Sequence, residues 1–135
     1  MATLIDSSLW IDFTRAKSPR HIKEFIAPIV LQPDVALAEP VVFEIMRYAT
    51  DAEIPPLQAQ FRLLPMLATP IDLWNRAAEL GRVCRSGGVT AGALDLLICT
   101  VAIHHAAELV TFDVDFERIA DVSDLKVKIL QRPTP

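Results

Sequence analysis

The sequence predicts an α/β fold built on a mainly parallel sheet. Short apolar segments of strand length alternate along the chain with longer segments whose apolar residues recur at helical spacing. The strand candidates are brief and apolar, the pattern of buried strands in a parallel sheet. Proline and glycine punctuate the segments of a single domain, residues 1–135, and no repeat, low-complexity stretch or linker divides it.

The elements follow in order. Ala2–Asp6 reads as a short buried strand with Asp6 at its end, and Ser7–Phe13 as a helix capped by Asp6 or Ser7. Pro19 fits the first turn of a second helix running to about Ile29. Val35–Ala38, bounded by Pro33 and Pro40, is a strand candidate. Pro40 opens a helix carrying Val41, Val42, Ile45, Tyr48 and Ala49 at roughly helical spacing. Pro55-Pro56 starts another helix, ending near Pro65. Met66–Thr69 is a candidate strand before Pro70 opens a long amphipathic helix to about Arg85, which Gly87-Gly88 stops. Thr90 is positioned to cap a helix from Ala93 to Ala106. Its Leu96, Leu97, Ile98, Val101, Ala102 and Ile103 are apolar almost all round, the mark of a buried central helix. Leu109–Thr111 is a strand, Phe116–Ile119 a helical turn, and Val127–Leu130 a last strand.

At 135 residues the chain can bury about two-thirds of its unfolded surface, enough to fold without a disulfide or structural metal. Its apolar fraction of 52% excludes glycine, against roughly 45–50% with glycine in typical domains. That surplus fits an oligomer or a tightly bound partner. No apolar run approaches the ~20 residues of a membrane span. Met1-Ala2-Thr3-Leu4-Ile5-Asp6 lacks the basic and apolar regions of a signal peptide, so a cytoplasmic protein is expected. Cys84 and Cys99 read as buried free thiols. The net charge of −4, from 17 acids and 13 bases, argues against a general nucleic-acid coat. The bases nonetheless cluster, with Arg15, Lys17, Arg20 and Lys23 early and Arg76, Arg82 and Arg85 in the middle.

A few carboxylates interrupt apolar patterns. Asp6 ends a strand in Leu4-Ile5-Asp6-Ser7-Ser8. Glu44 sits inside Val41-Val42-Phe43-Glu44-Ile45-Met46, and Asp95 near the start of the most apolar helix. Asp113 and Asp115 follow a strand in Val110-Thr111-Phe112-Asp113-Val114-Asp115-Phe116. Each has an ordinary explanation. Asp6 could cap a helix, Glu44 could point outward, and Asp95 could offset a helix dipole. Asp113 could form a turn, and Asp115 could cap the next helix. Taken together, however, an α/β topology can bring them to one cleft at the carboxyl ends of the strands. Carboxylates so gathered repel one another unless a cation joins them. An all-oxygen site suits Mg²⁺ or Mn²⁺, ions that serve phosphoryl-transfer hydrolysis.

In this order and spacing the four acidic motifs resemble the PIN domain, and more closely the VapC toxins of bacterial toxin–antitoxin pairs. The resemblance spans Ala2 to about Leu130. It implies a three-layer α/β/α fold and Mg²⁺- or Mn²⁺-dependent endoribonuclease activity. By position, Asp6, Glu44, Asp95 and Asp113 match the acidic site, and Asp115 matches an additional acid. Ser7 and Thr111 match hydroxyls that would orient carboxylates. Asp6 and Asp95 would bind the principal ion, with Asp113 or Asp115 completing the site. Glu44 would orient or deprotonate water, or help hold a second ion. The stretch Arg85–Leu94 matches only loosely. The resemblance further implies an RNA substrate (tRNA, rRNA or mRNA), a cognate VapB-type antitoxin covering the cleft, and a homodimer.

Other classes fit less well. Cys84, Cys99, His21, His104 and His105 lack the paired spacing of zinc ligands. No nucleophile elbow or glycine-rich phosphate loop is present. A Mg²⁺-binding phosphoacceptor signalling domain would want a double acid after the first strand, whereas Asp6 stands alone. A PIN-like protein that has lost catalysis and only binds a partner is the remaining alternative.

Overall fold

The computed structural model describes residues 1–135. Four strands and seven helices follow in the order β1 (Thr3–Ile5), α1 (Ser7–Thr14), α2 (Arg20–Val30), β2 (Val35–Ala36), α3 (Glu39–Tyr48), α4 (Ile54–Phe61), α5 (Leu73–Ser86), α6 (Ala93–His104), β3 (Glu108–Thr111), α7 (Asp115–Asp121) and β4 (Lys126–Ile129). The strands lie in the order β2-β1-β3-β4 and every pairing is parallel. Successive strand residues face opposite sides of a sheet. Leu4 and Ile5 in β1 and Leu109 and Val110 in β3 are nevertheless all buried. Helices therefore cover both faces of the central strands, which gives the three layers expected. No helix is long and apolar enough to cross a membrane.

Helix α1 packs on α2 and α3, α5 packs on α6, and α1 and α6 both reach β3. Trp10, Ile26, Ile98, Leu109 and Phe116 are among the fully buried side chains of one continuous core. Phe61 meets Trp10 edge-on at 5.5 Å between ring centroids. Helix α6 buries Ile98, Cys99, Thr100, Val101 and Ala102 in succession, so it is the central helix its composition indicated. Cys84 and Cys99 are buried and unbonded. Burial pushes both thiols up, and the carboxylates of Asp95 and Asp6 push Cys99 up further.

Several boundaries differ from the sequence reading. The Met66–Thr69 strand is reduced to a single parallel bridge between Leu37 and Met66. Helix α4 ends at Phe61 rather than near Pro65, and α5 begins at Leu73 rather than Pro70. Pro70 is buried instead in a turn, its carbonyl accepting from Leu73 N–H. Thr90 is no cap, because α6 starts after Gly92. Neither Asp6 nor Ser7 caps α1 through its side chain.

Helix α6 stops at His104 rather than Ala106. Ala107 N–H bonds to Ala102 C=O while Ala106 adopts φ 51°, the left-handed closure that glycine usually provides. The same closure ends α5, where Gly88 has φ 73° and Val89 N–H bonds to Cys84 C=O. His104 Nδ1 accepts from Arg76 at 2.8 Å, and His105 Nε2 donates to Ala68 C=O at 2.7 Å.

Candidate active site

Strands β1 and β3 are neighbours, with Ile5 in register with Val110. Asp6 N–H continues that ladder by donating to Val110 C=O at 2.9 Å. The parallel pairing therefore brings Asp6, just past β1, beside Thr111 at the end of β3. Thr111 is fully buried, and its Oγ1 donates to Asp6 Oδ2 at 2.8 Å. Thr111 Oγ1 in turn accepts from Asp113 N–H at 3.0 Å. One buried hydroxyl thus fixes two of the predicted acids relative to each other.

Asp6 is only 4% exposed. A buried carboxylate needs hydrogen-bond donors, and hydroxyls supply them. Ser8 Oγ donates to Asp6 Oδ2 at 2.9 Å. Ser7 Oγ lies 3.4 Å from Asp6 Oδ1 and donates most directly to Glu44 Oε1. Its single proton serves that closer partner. Glu44 is half-buried and faces α1, so it does not point outward. The packing of α3 against α1 places it there.

Asp95 occupies the first turn of α6, with its Oδ2 over the bare Cα of Gly92. Its carboxyl is pushed up to about 6, by burial first and then by the charges of Asp6, Asp113, Glu44 and Asp115. All five predicted acids therefore share one electrostatic field. Asp113 also makes the turn considered for it, since its Oδ1 accepts from Asp115 N–H at 2.9 Å. Asp115 is the exposed first residue of α7 rather than a cap before Phe116.

Ser8 is the residue the sequence reading passed over. The signal was present, as a second hydroxyl two residues after the acid in Asp6-Ser7-Ser8. As the side chains lie, no three acids stand close enough to clasp a single ion directly. The acids nonetheless fit a hydrated divalent cation. Mg²⁺ usually keeps several waters and is held through one or two carboxylates, and Asp95 is an oxygen donor destabilised by four anionic neighbours.

A parallel sheet flanked by helices, with acids gathered beyond the carboxyl ends of its two central strands, defines an α/β protein with an acidic, cation-suited cleft. The family profile of the PIN domain matches residues 3–122, and the chain belongs to that family. It is 31% identical over 130 residues to VapC ribonuclease Mb1587 of Mycobacterium bovis, covering 91% of this chain and 95% of that protein. Ribonuclease VapC11 of Mycobacterium tuberculosis shows the same identity and coverage. Among solved structures, the chain resembles one in the VapBC2 complex of Rickettsia felis, with TM-score 0.76 and 18% identity over 97% of this chain and 100% of that one. One in VapBC of Salmonella typhimurium gives TM-score 0.73 and 16% identity, covering 96% and 98% respectively. At such identities these structures establish the fold alone.

Proposed function

We propose that this chain is a Mg²⁺- or Mn²⁺-dependent endoribonuclease, the toxin of a type II toxin–antitoxin pair. The observation that carries the reading is the convergence of Asp6 and Asp113 on the buried Thr111 hydroxyl at the carboxyl ends of β1 and β3, with Asp95 raised to about 6 by burial and by the acids around it, in a chain of the PIN family. Such a cluster is unfavourable alone and favourable around a cation. The all-oxygen donor set selects a hard divalent ion. Relatives named ribonucleases support RNA as the substrate.

In this reading Asp6 and Asp95 hold the ion, with Asp113 or Asp115 completing the site. A divalent ion held there would supply charge neutralisation at the phosphate and a more acidic water. Ser8 and Thr111 keep the Asp6 carboxylate oriented, and Ser7 does the same for Glu44. Glu44 orients or deprotonates the attacking water. In-line attack leaves a 5′-phosphate and a 3′-hydroxyl. With the site itself anionic, the RNA backbone is drawn by Arg15, Lys17, Lys23, Arg82 and Arg85. Arg20, the other early cation, is already paired with Glu24.

The VapBC neighbours support a cognate VapB-type antitoxin, whose basic side chain would neutralise the acids and displace metal. A homodimer fits the apolar surplus. A cytoplasmic protein acting on tRNA, rRNA or mRNA is consistent with this reading. The test is incubation of purified protein with total cellular RNA in Mg²⁺, Mn²⁺ or EDTA, beside Asp95→Asn. Discrete metal-dependent fragments absent from the variant are expected. Identical fragments from both proteins, or cleavage in EDTA, would overturn the reading.

A further inference from the structure

The largest cavity described, about 670 Å³, lies beside the acidic site rather than in it. One wall is the loop from α1 to α2, with Arg15 and Lys17. The other is the connection from α3 to α4, with Tyr48, Thr50 and Glu53. Tyr48 stands four residues beyond Glu44 on α3, one turn along the same helix face, about 6 Å further on. Arg15 closes α1, whose first residue, Ser7, touches Glu44. The groove therefore lies further along α1 and α3 from the acidic site, with Tyr48 one turn beyond Glu44 and Arg15 about 12 Å beyond Ser7.

The charges in this groove are not balanced. Its two acids are already engaged. Asp12 is ion-paired with Arg132. Glu53 accepts Ala16 N–H at 3.2 Å and Thr50 N–H at 2.9 Å, which ties one wall to the other. Arg15 and Lys17 make no ion pair within 4 Å, although Arg15 lies close enough to Glu53 to help the Thr50 and Ala16 N–H groups hold its carboxyl down, and with Arg47 and Arg132 nearby the cations outnumber the acids. Tyr48, on the same cavity wall, is 54% exposed, a large aromatic side chain facing water. Its neighbour Arg47, also without an ion pair, lies 4.8 Å from the ring centroid. Cations beside an exposed aromatic ring, one face of which Arg47 covers, form a combination that binds single-stranded nucleic acid, phosphates on the cations and a base on the remaining face. The volume lies within the ~300–1,000 Å³ of small-ligand sites.

We propose that this groove seats an unpaired nucleotide of the RNA flanking the cleavage site, its base stacked on Tyr48 and its phosphates held by Arg15 and Lys17. The proposal rests on the nuclease reading for the identity of the strand but not on cleavage. It is tested by binding in EDTA, where metal-dependent cleavage is silent.

The probe is a fluorescein-labelled single-stranded RNA of mixed sequence, followed by anisotropy over a series of salt concentrations. Tyr48→Ala is expected to weaken binding about five- to hundredfold, and Tyr48→Phe to keep it, because stacking needs the ring and not the hydroxyl. Arg15→Gln with Lys17→Gln is expected to reduce the slope of log affinity against log salt by about 1.4, the loss of two phosphate contacts to a single strand. Lys126→Gln with Lys128→Gln, an equal neutralisation on the edge strand β4, is the charge control. Melting by circular dichroism confirms that each variant is folded. Binding unchanged in Tyr48→Ala, an equal slope change in the control, or no binding by the parent chain would overturn the proposal. None of these outcomes bears on the cleavage assay.

Discussion

Asp95→Asn tests the acidic cluster without invoking catalysis. The carboxyl is moved from its ordinary 3.8 to about 6, by burial first and then by Asp6, Asp113, Glu44 and Asp115. The folded chain therefore holds this proton more tightly than the unfolded chain. Between those two values folding takes up a proton, so stability falls as pH rises. Above about 6 the whole penalty is present; below 3.8 it is absent. A tenfold change in ionisation is worth about 1.4 kcal/mol, which sets an upper limit near 3 kcal/mol. Partial exposure and water screening reduce this to ~1–2 kcal/mol. Asparagine keeps the shape and removes the charge. In EDTA at pH 8, Asp95→Asn is expected to be more stable than the parent by ~1–2 kcal/mol in urea denaturation followed by circular dichroism. At pH 4.5 most of that gap should close. A variant less stable at pH 8, or a gap indifferent to pH, would refute the clustering of charge around Asp95.

Four further outcomes are expected. Millimolar Mg²⁺ or Mn²⁺ should raise the Tm of the parent chain at pH 8, by ~2.7 kcal/mol of stabilisation at a hundredfold excess over Kd. It should do so less near pH 5, where Asp95 carries its proton, and a thermal-shift series with and without EDTA reads both. Thr111→Val strips the shared hydroxyl from Asp6 and Asp113 N–H. It should cost ~1–3 kcal/mol of stability and about ten- to hundredfold in cleavage, with Thr111→Ser restoring most of each. Ala106→Gly should stabilise by ~0.5–1 kcal/mol, because Ala106 sits at φ 51° where glycine is unstrained; an equilibrium urea curve showing a loss would contradict the left-handed closure. Gly87→Ala should destabilise, since a Cβ there would meet Val122 Cγ1 at 2.8 Å, and a Tm equal to the parent's would show that Val122 yields freely.

What the sequence determined by itself was the alternation of strands and helices, the parallel sheet and the acids worth inspecting. These features are legible because local chemistry writes them. Strand candidates are short and apolar, α6 is apolar around its whole circumference, and an acid interrupting such a pattern stands out from surface charge. Element ends were less legible where a contact rather than a residue type sets them. Helix α6 closes through Ala106 in a conformation that glycine would have signalled, and the packing of the turn into β3 holds it there. Met66 pairs with Leu37 in a single bridge, Leu37 N–H donating to Pro65 C=O and Leu67 N–H to Leu37 C=O, and apolar composition alone does not show where such a pairing stops. Asp6 and Glu44 each had a plausible local role, as a cap and as an outward charge. Only the register of β1 against β3 and the packing of α3 on α1 turned them toward one another. The shift of Asp95 to about 6 belongs to the same level. A raised carboxyl reports burial and neighbouring charge, and both are properties of space, which a residue's position along the chain does not contain.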